Sequence, residues 1–145
     1  MEKYGQHFSV MKDNYLELFQ SLDKSERFYF CDLTFGAGGH AFAILNEFPQ
    51  AILVACDQDQ EALANAKKII EENNFSKRII IFDSNFANFY ENFLQVKPKD
   101  FNGFMGLIAD LGVSSHQFDT SERGFSFRFD GPLDMRMDTS HNPIT

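Results

Sequence analysis

Four short apolar runs, each separated from the next by a stretch of helical spacing, predict an α/β chain built on a parallel sheet. A glycine-rich turn directly after the first run and an aspartate closing the second narrow the class to a Rossmann-like unit. The expected architecture is the first four parallel strands with their crossover helices, an incomplete sheet followed by a long loop.

The elements follow in chain order. Over residues 12–22, Tyr15, Leu18, Phe19 and Leu22 take the spacing of an amphipathic helix. Residues 28–33 are short and aromatic-rich, as a buried strand is. Thr34-Phe35-Gly36-Ala37-Gly38-Gly39 is a glycine turn, and a short helix is expected over 40–48. Residues 51–56 form a second buried strand ending at Asp57. Asp59 caps the next helix, which runs to about residue 73 with Leu63, Ala66, Ile69 and Ile70 inward. A third strand is expected over 78–82, and a third crossover helix over 86–95 with Phe86, Phe89, Tyr90, Phe93 and Leu94 apolar. The fourth strand covers 104–109 and ends at Asp110. All four strands are continuous apolar runs, the pattern of a sheet covered by helices on both faces. Residues 111–138 show no helical period and are rich in Gly, Ser, Asp, Arg and Phe.

The 145 residues carry 21 acidic and 13 basic side chains, a net charge of −8. Such acidity argues against loose, sequence-blind adhesion to nucleic acid, which needs Lys and Arg to displace counterions. It leaves a specific nucleic-acid substrate open. A hydrophobic content of 43% excludes a disordered chain. The longest apolar runs fall far short of the roughly 20 residues that span a bilayer, so no membrane role is expected. No secretory leader is expected, because residues 1–7 are polar and lead into no long apolar core. Cys31 and Cys56 both fall inside expected strands, which suggests buried thiols in a reducing cytosol rather than a disulfide or a covalent nucleophile. No metal site is expected.

In an open parallel sheet, ligands bind beyond the carboxyl ends of the strands, where the strand order reverses. The residues expected there are Asp32, the 36–39 glycine loop, Asp57, Phe86 and Asp110. Glycines let a backbone approach a ligand closely. Asp57 follows Gly38 by nineteen residues, near the ~20 of a carboxylate that engages ribose hydroxyls. Together these residues describe a site for a nucleoside-containing cofactor; the bland alternative is a glycine-eased strand–helix turn with Asp57 merely capping. Gly36-Ala37-Gly38-Gly39-His40-Ala41 also fits the dinucleotide pattern G-x-G-x-x-A, which leaves a nicotinamide-dependent oxidoreductase open. Two features favour S-adenosylmethionine. Asp32 stands four residues before Gly36, in a D-x-x-x-G-x-G string that resembles the first motif of the Rossmann-like methyltransferases. Asp110 takes the slot where that class puts an acidic or polar residue beside the methyl group.

In the loop after the fourth strand, Phe125, Phe127 and Phe129 alternate along one side of an extended segment, with Arg123, Arg128 and Arg136 nearby. Such rings are either a buried strand face or platforms for unpaired bases, with arginines on phosphates. Six acidic residues against three arginines over 110–138 keep this loop from being an electrostatic magnet. Asp130-Gly131-Pro132 marks a turn.

The strings TFGAGGH (34–40), DQDQEAL (57–63), DLGVSS (110–115) and above all RGFSFRFDGPLDMRMD (123–138) resemble the bacterial small-subunit ribosomal RNA cytosine-N4 methyltransferases, over the span from about His7 to the end of the chain. The resemblance implies an S-adenosylmethionine-dependent methyltransferase fold, acting in the cytoplasm on a cytosine in the decoding region of 16S rRNA within the small ribosomal subunit. It implies cofactor contacts from Gly38, Gly39, His40, Asp57, Phe86, Asp110 and Gln117. The roles of His40 and Gln117 rest on the resemblance alone. Ser9 and His116 stand where prolines are usual, and Ala41 where a small hydroxyl residue is usual.

Members of this family are about twice as long and insert a mostly helical substrate-recognition domain after the fourth strand. The resemblance therefore divides the chain into residues 1–110, the N-terminal part of the methyltransferase domain, and 111–145, the post-strand loop and the start of that insertion. It implies an N-terminal fragment with most of the cofactor cradle and little of the RNA-binding surface, its fourth strand left as an apolar edge.

Methyl transfer to an exocyclic amine is an in-line displacement at a sulfonium methyl, in which positioning supplies most of the rate. Asp110 is the candidate catalytic acceptor of the N4 hydrogen. Its context, Asp110-Leu111-Gly112-Val113, is not the Asp-Pro-Pro-aromatic motif of DNA amino-methyltransferases. A non-catalytic remnant that binds cofactor or RNA without turnover is the remaining alternative.

Overall fold

The computed structural model describes residues 12–142, with side chains from Asn14 onward. His7 and Ser9 therefore lie outside the described residues. The elements run α1 (Lys12–Glu17), β1 (Tyr29–Asp32), α2 (Gly39–Glu47), β2 (Ile52–Asp57), α3 (Gln60–Glu72), β3 (Ile79–Asp83), a 3₁₀ turn (Phe86–Asn88), α4 (Phe89–Val96), β4 (Phe104–Ile108), α5 (Ser115–Asp119) and a second 3₁₀ turn (Ser121–Arg123). All strands pair in parallel in the order β3-β2-β1-β4. The order thus reverses at β1, with β2 on one side and β4 on the other.

Alternation along β1 explains the two-sided core. Phe28 and Phe30 point to one face, where they pack with Phe35, Ile44, Leu45 and Phe48 of the α2 side. Tyr29 and Cys31 point to the other, against Val54, Cys56, Phe89 and Phe93. Each fully buried phenylalanine contributes about 1.5–3 kcal/mol by removing its ring from water. On the α4 face the rings touch one another: Phe93 lies 4.8 Å from Phe101 and 5.2 Å from Phe104 between centroids. α3 forms where expected. The Asp59 carboxylate accepts from the Glu61 N–H at 3.0 Å as its N-cap, and Ala62, Leu63, Ala66 and Ile70 are buried.

Several expectations need correction. α1 ends at Glu17, and turns closed by Phe19 N–H to Leu16 and Leu22 N–H to Phe19 carry the chain on. Tyr15, Phe19 and Leu22 meet the core, but Leu18 is 74% exposed. The third crossover begins as a 3₁₀ turn because the Asn85 side chain accepts from Ala87 and Asn88 N–H, and its α-helical part starts at Phe89. Of its apolar residues only Phe89 and Phe93 are buried; Phe86, Tyr90 and Leu94 are exposed. β4 is not covered on both faces, since Met105 and Leu107 are exposed while Phe104, Gly106 and Ile108 are half-buried. Among the described residues it is an edge of the sheet, as the resemblance implies.

The segment after β4 also differs from expectation. It contains a helix, α5, fixed by a capping box: the Ser114 hydroxyl accepts from the Gln117 N–H while the Gln117 side chain accepts from the Ser114 N–H. Phe125, Phe127 and Phe129 do not share a strand face. Phe125 is buried, whereas Phe127 is 97% and Phe129 is 54% exposed. The chain leaves the second 3₁₀ turn through Gly124 at φ 75°, where a Cβ would fall 2.4 Å from the Pro132 carbonyl. That close approach folds residues 131–135 back over the turn and separates the three rings.

Candidate functional site

The carboxyl ends of β1, β2 and β4 bring together four parts of the sequence. After β1 the chain turns through Gly36 at φ 52° and Gly38 at φ 77°, a left-handed conformation that glycine tolerates without strain. A Cβ on Gly38 would lie 2.4 Å from the Phe42 ring and 2.9 Å from the Phe35 ring, so this position admits no larger residue. The turn is tied to the end of β2: one Asp57 carboxylate oxygen accepts from the Gly36 N–H at 2.6 Å, the other from the Asp59 N–H at 2.9 Å. A carboxylate offers about four lone-pair sites, so each oxygen keeps capacity for a ligand hydroxyl. Burial raises the Asp57 pKa above the usual carboxylate range, against the lowering effect of these N–H donors.

Asp32, closing β1, is buried and accepts from the Thr34 N–H at 3.0 Å. Burial, with added repulsion from Asp57 and Asp110, pushes its pKa up to about 7. Asp110 follows β4, across the reversal in strand order. Its N–H donates to the Thr34 hydroxyl at 2.7 Å, which joins the two strand ends, and the residue is exposed. The sheet therefore gathers three carboxylates and a positive-φ turn at its reversal point, an arrangement suited to a cationic ligand with a ribose.

The segment after β4 is fastened to this site through Asp59. The Arg123 guanidinium bridges both Asp59 oxygens at 2.8 and 3.2 Å and reaches Glu61 at 2.8 Å. It also donates to the carbonyls of Arg136 and Met137. Burial opposes ionisation of Asp59, but the hydrogen bonds and charge of Arg123 and the amide of Gln117 outweigh it and hold the carboxyl below its ordinary range. His116 contacts Glu61 at 2.9 Å.

Of the residues read from sequence, Gly38, Gly39, His40, Asp57 and Asp110 lie around the reversal point, on the turn, the start of α2 and the ends of β2 and β4. His40 is buried with its ring edge-on to Tyr15 at 5.4 Å. Phe86 is half exposed beyond the end of β3, at the outer strand of that side. Gln117 is buried, and its amide is engaged at both ends: the nitrogen donates to Asp59 at 2.7 Å and the oxygen accepts from Ser114 N–H at 2.9 Å. Spacing had missed the Thr34 bridge and the Arg123–Asp59 pair, because each joins residues more than sixty positions apart. Among the described residues no group of His, Cys, Asp and Glu is arranged to hold a metal, and no helix is long and apolar enough to cross a membrane.

A family model described as the MraW methylase family matches residues 4–144. The chain belongs to that family. At 42% identity over 132 residues it is similar to a Picosynechococcus protein named ribosomal RNA small subunit methyltransferase H, covering 91% of this chain and 41% of the relative. A Chlamydia felis protein of the same name is 42% identical over 142 residues, 97% of this chain and 44% of the relative. The chain thus spans about two-fifths of the length of the curated relatives it matches. Among solved structures it is similar to the C-terminal domain of precorrin-6Y C5,15-methyltransferase from Rhodobacter capsulatus, with TM-score 0.54 at 16% identity over 79% of this chain and 56% of that one. It is also similar to M. capricolum TrmK in complex with S-adenosylhomocysteine, with TM-score 0.50 at 18% identity over 69% of this chain and 39% of that one. The fold is the Rossmann-like methyltransferase fold, with four of its parallel strands present here. Membership of a methylase family removes the nicotinamide-dependent oxidoreductase as a reading of the glycine turn.

Proposed function

We propose that this chain supplies the cofactor-holding part of an S-adenosylmethionine-dependent methyltransferase that modifies N4 of a cytosine in the decoding region of 16S rRNA, in the cytoplasm and on the small ribosomal subunit. The observation that carries the reading is the meeting of Asp32, Asp57 and Asp110 with a positive-φ glycine turn at the strand reversal. The residues fit the cofactor: a ribose finds an acceptor in Asp57, a sulfonium and an ammonium find anionic surroundings, and Phe86 offers an exposed ring to a purine. When bound, the cofactor offers a sulfonium methyl that the N4 nitrogen takes in line, leaving a thioether.

In this reading Gly38, Gly39 and His40 set the path of the turn against the ligand. Asp110 accepts a hydrogen bond from the cytosine N4–H, which enriches a lone pair otherwise delocalised into the ring. As the methyl arrives, the N4 proton passes to the Asp110 carboxylate and from that exposed group to solvent. Such placed charge is worth about 10²–10³ in rate. Gln117 joins the site by way of Asp59, two positions after the ribose acceptor. Phe127 and Phe129, with Arg128 between them, are the exposed side chains available to unpaired bases, with residues 111–145 as the RNA-facing part.

The test has two arms. Calorimetry with S-adenosylhomocysteine is expected to show binding that Asp57→Ala weakens about tenfold or more; unchanged affinity would remove Asp57 from the site. Labelled methyl transfer to purified small subunits, with the product mapped by mass spectrometry, is expected to mark N4 of a cytosine when these residues are assayed within a full-length family enzyme. Transfer at full rate by the chain alone would overturn its reading as the cofactor-holding part. Asp110→Asn is expected to slow a single turnover about 10²-fold while affecting cofactor affinity far less. Cofactor binding without any transfer would favour the non-catalytic reading.

A further inference from the structure

The hydroxyl of Tyr15 is buried beside the glycine turn and has no hydrogen-bond partner among the described residues. α1 lays the ring edge-on against Phe30 of β1 at 5.6 Å, Phe19 at 5.5 Å and the His40 imidazole at the start of α2 at 5.4 Å. The ring is therefore wedged between β1 and the first turn of α2, on the β1 side of the site. Burial first, then the charges of Asp32 and Cys31, hold the phenol well above its ordinary range, so it stays a neutral donor.

Buried tyrosine hydroxyls are ordinarily paired, because an orphaned one forfeits its hydration without compensation. Phenylalanine would fill the same space between Phe19 and Phe30 without that cost. The described residues leave the donor without an acceptor, a place that a bound ligand can fill. The ribose and purine of the cofactor are already assigned to the ends of β2 and β3, whereas Tyr15 lies against Phe30 of β1 and His40 of α2. What reaches the β1 side, near Asp32, is the amino-acid end, which carries one strong acceptor.

We propose that the Tyr15 hydroxyl is a further cofactor-binding group, donating its hydrogen bond to the carboxylate at the amino-acid end of bound S-adenosylmethionine, with Asp32 facing the adjoining ammonium. The proposal rests on the cofactor reading above and is tested apart from it.

Calorimetry would compare the chain with Tyr15→Phe against two probes. S-adenosylhomocysteine carries the amino-acid end; methylthioadenosine keeps the nucleoside and thioether but lacks it. Tyr15→Phe is expected to lose about tenfold in affinity for the first and nothing for the second. Unchanged affinity for S-adenosylhomocysteine, or an equal loss for both probes, would overturn the proposal while leaving the cofactor reading standing. Failure of the unsubstituted chain to bind either probe would overturn both. The ligand-free variant is expected to melt at or above the temperature of the original chain; a lower melting temperature would show that the hydroxyl is already paired and would sink the premise.

Discussion

Phe125 and Phe127 stand two positions apart and meet opposite environments, one buried and the other 97% exposed. Their period-two spacing carried no information about burial, because burial here is decided by a glycine at φ 75° that turns the chain between Arg123 and Phe125. The contrast makes a sharp test. In urea denaturation, Phe125→Ala is expected to cost about 3–5 kcal/mol, the range for removing a packed ring. Phe127→Ala is expected to stay within about 0.5 kcal/mol. Equal losses would mean that Phe127 is packed in solution. The two cysteines were more legible. Both fell inside apolar runs, both are buried, and burial first pushes each thiol up to about 12, helped by Cys56 and Asp32 at Cys31 and by Asp57 and Asp32 at Cys56. Neutral, enclosed thiols are expected to react with iodoacetamide only as fast as the chain opens.

At the scale of elements, α5 shows what a sequence reading passes over. Its capping box, Ser114 with Gln117, is written plainly in the sequence. Five residues are too few turns to display a period, so the segment resembled loop. Its anchor was not legible at all: Arg123 pairs with Asp59 across 64 positions. The pair is nearly dry, with side chains 9% and 7% exposed. Removing one partner of such a pair strands a buried charge and typically costs about 3–5 kcal/mol. Arg123→Met is expected to lose that much and to speed hydrogen exchange at α5 before exchange in the central strands. Adding Asp59→Asn should recover part of the loss, because it removes the stranded charge. The pH dependence follows from the lowered pKa of Asp59. The anchoring is fully present above the ordinary carboxylate range and is lost as pH falls through the folded value, so α5 amides should lose protection in acid while the central strands still hold theirs.

Over the whole molecule, the strand ends predicted from apolar runs coincide with the residues that meet at the reversal of strand order, because a parallel sheet aligns all its carboxyl ends on one side. The edge position of β4 is a property of the assembled order, and it was legible only through the family resemblance, which left the fourth strand as an edge. Assembly also sets the behaviour of Asp32, which sits at that reversal facing two further carboxylates. Between its ordinary value and about 7, the folded chain holds this proton more tightly than the unfolded chain does. Stability from this group is therefore fully present below about pH 4 and is lost as pH rises through about 7. A cationic ligand beside Asp32 favours the ionised form and so expels the proton. Cofactor affinity is accordingly expected to rise with pH up to about 7 and then level off. Calorimetry at pH 6 in two buffers of different ionisation heat should register release of most of one proton on binding. Asp32→Asn should abolish that release, weaken binding and stabilise the ligand-free fold at pH 8. If the unsubstituted chain released no proton at pH 6, Asp32 would not face the cationic end of the ligand.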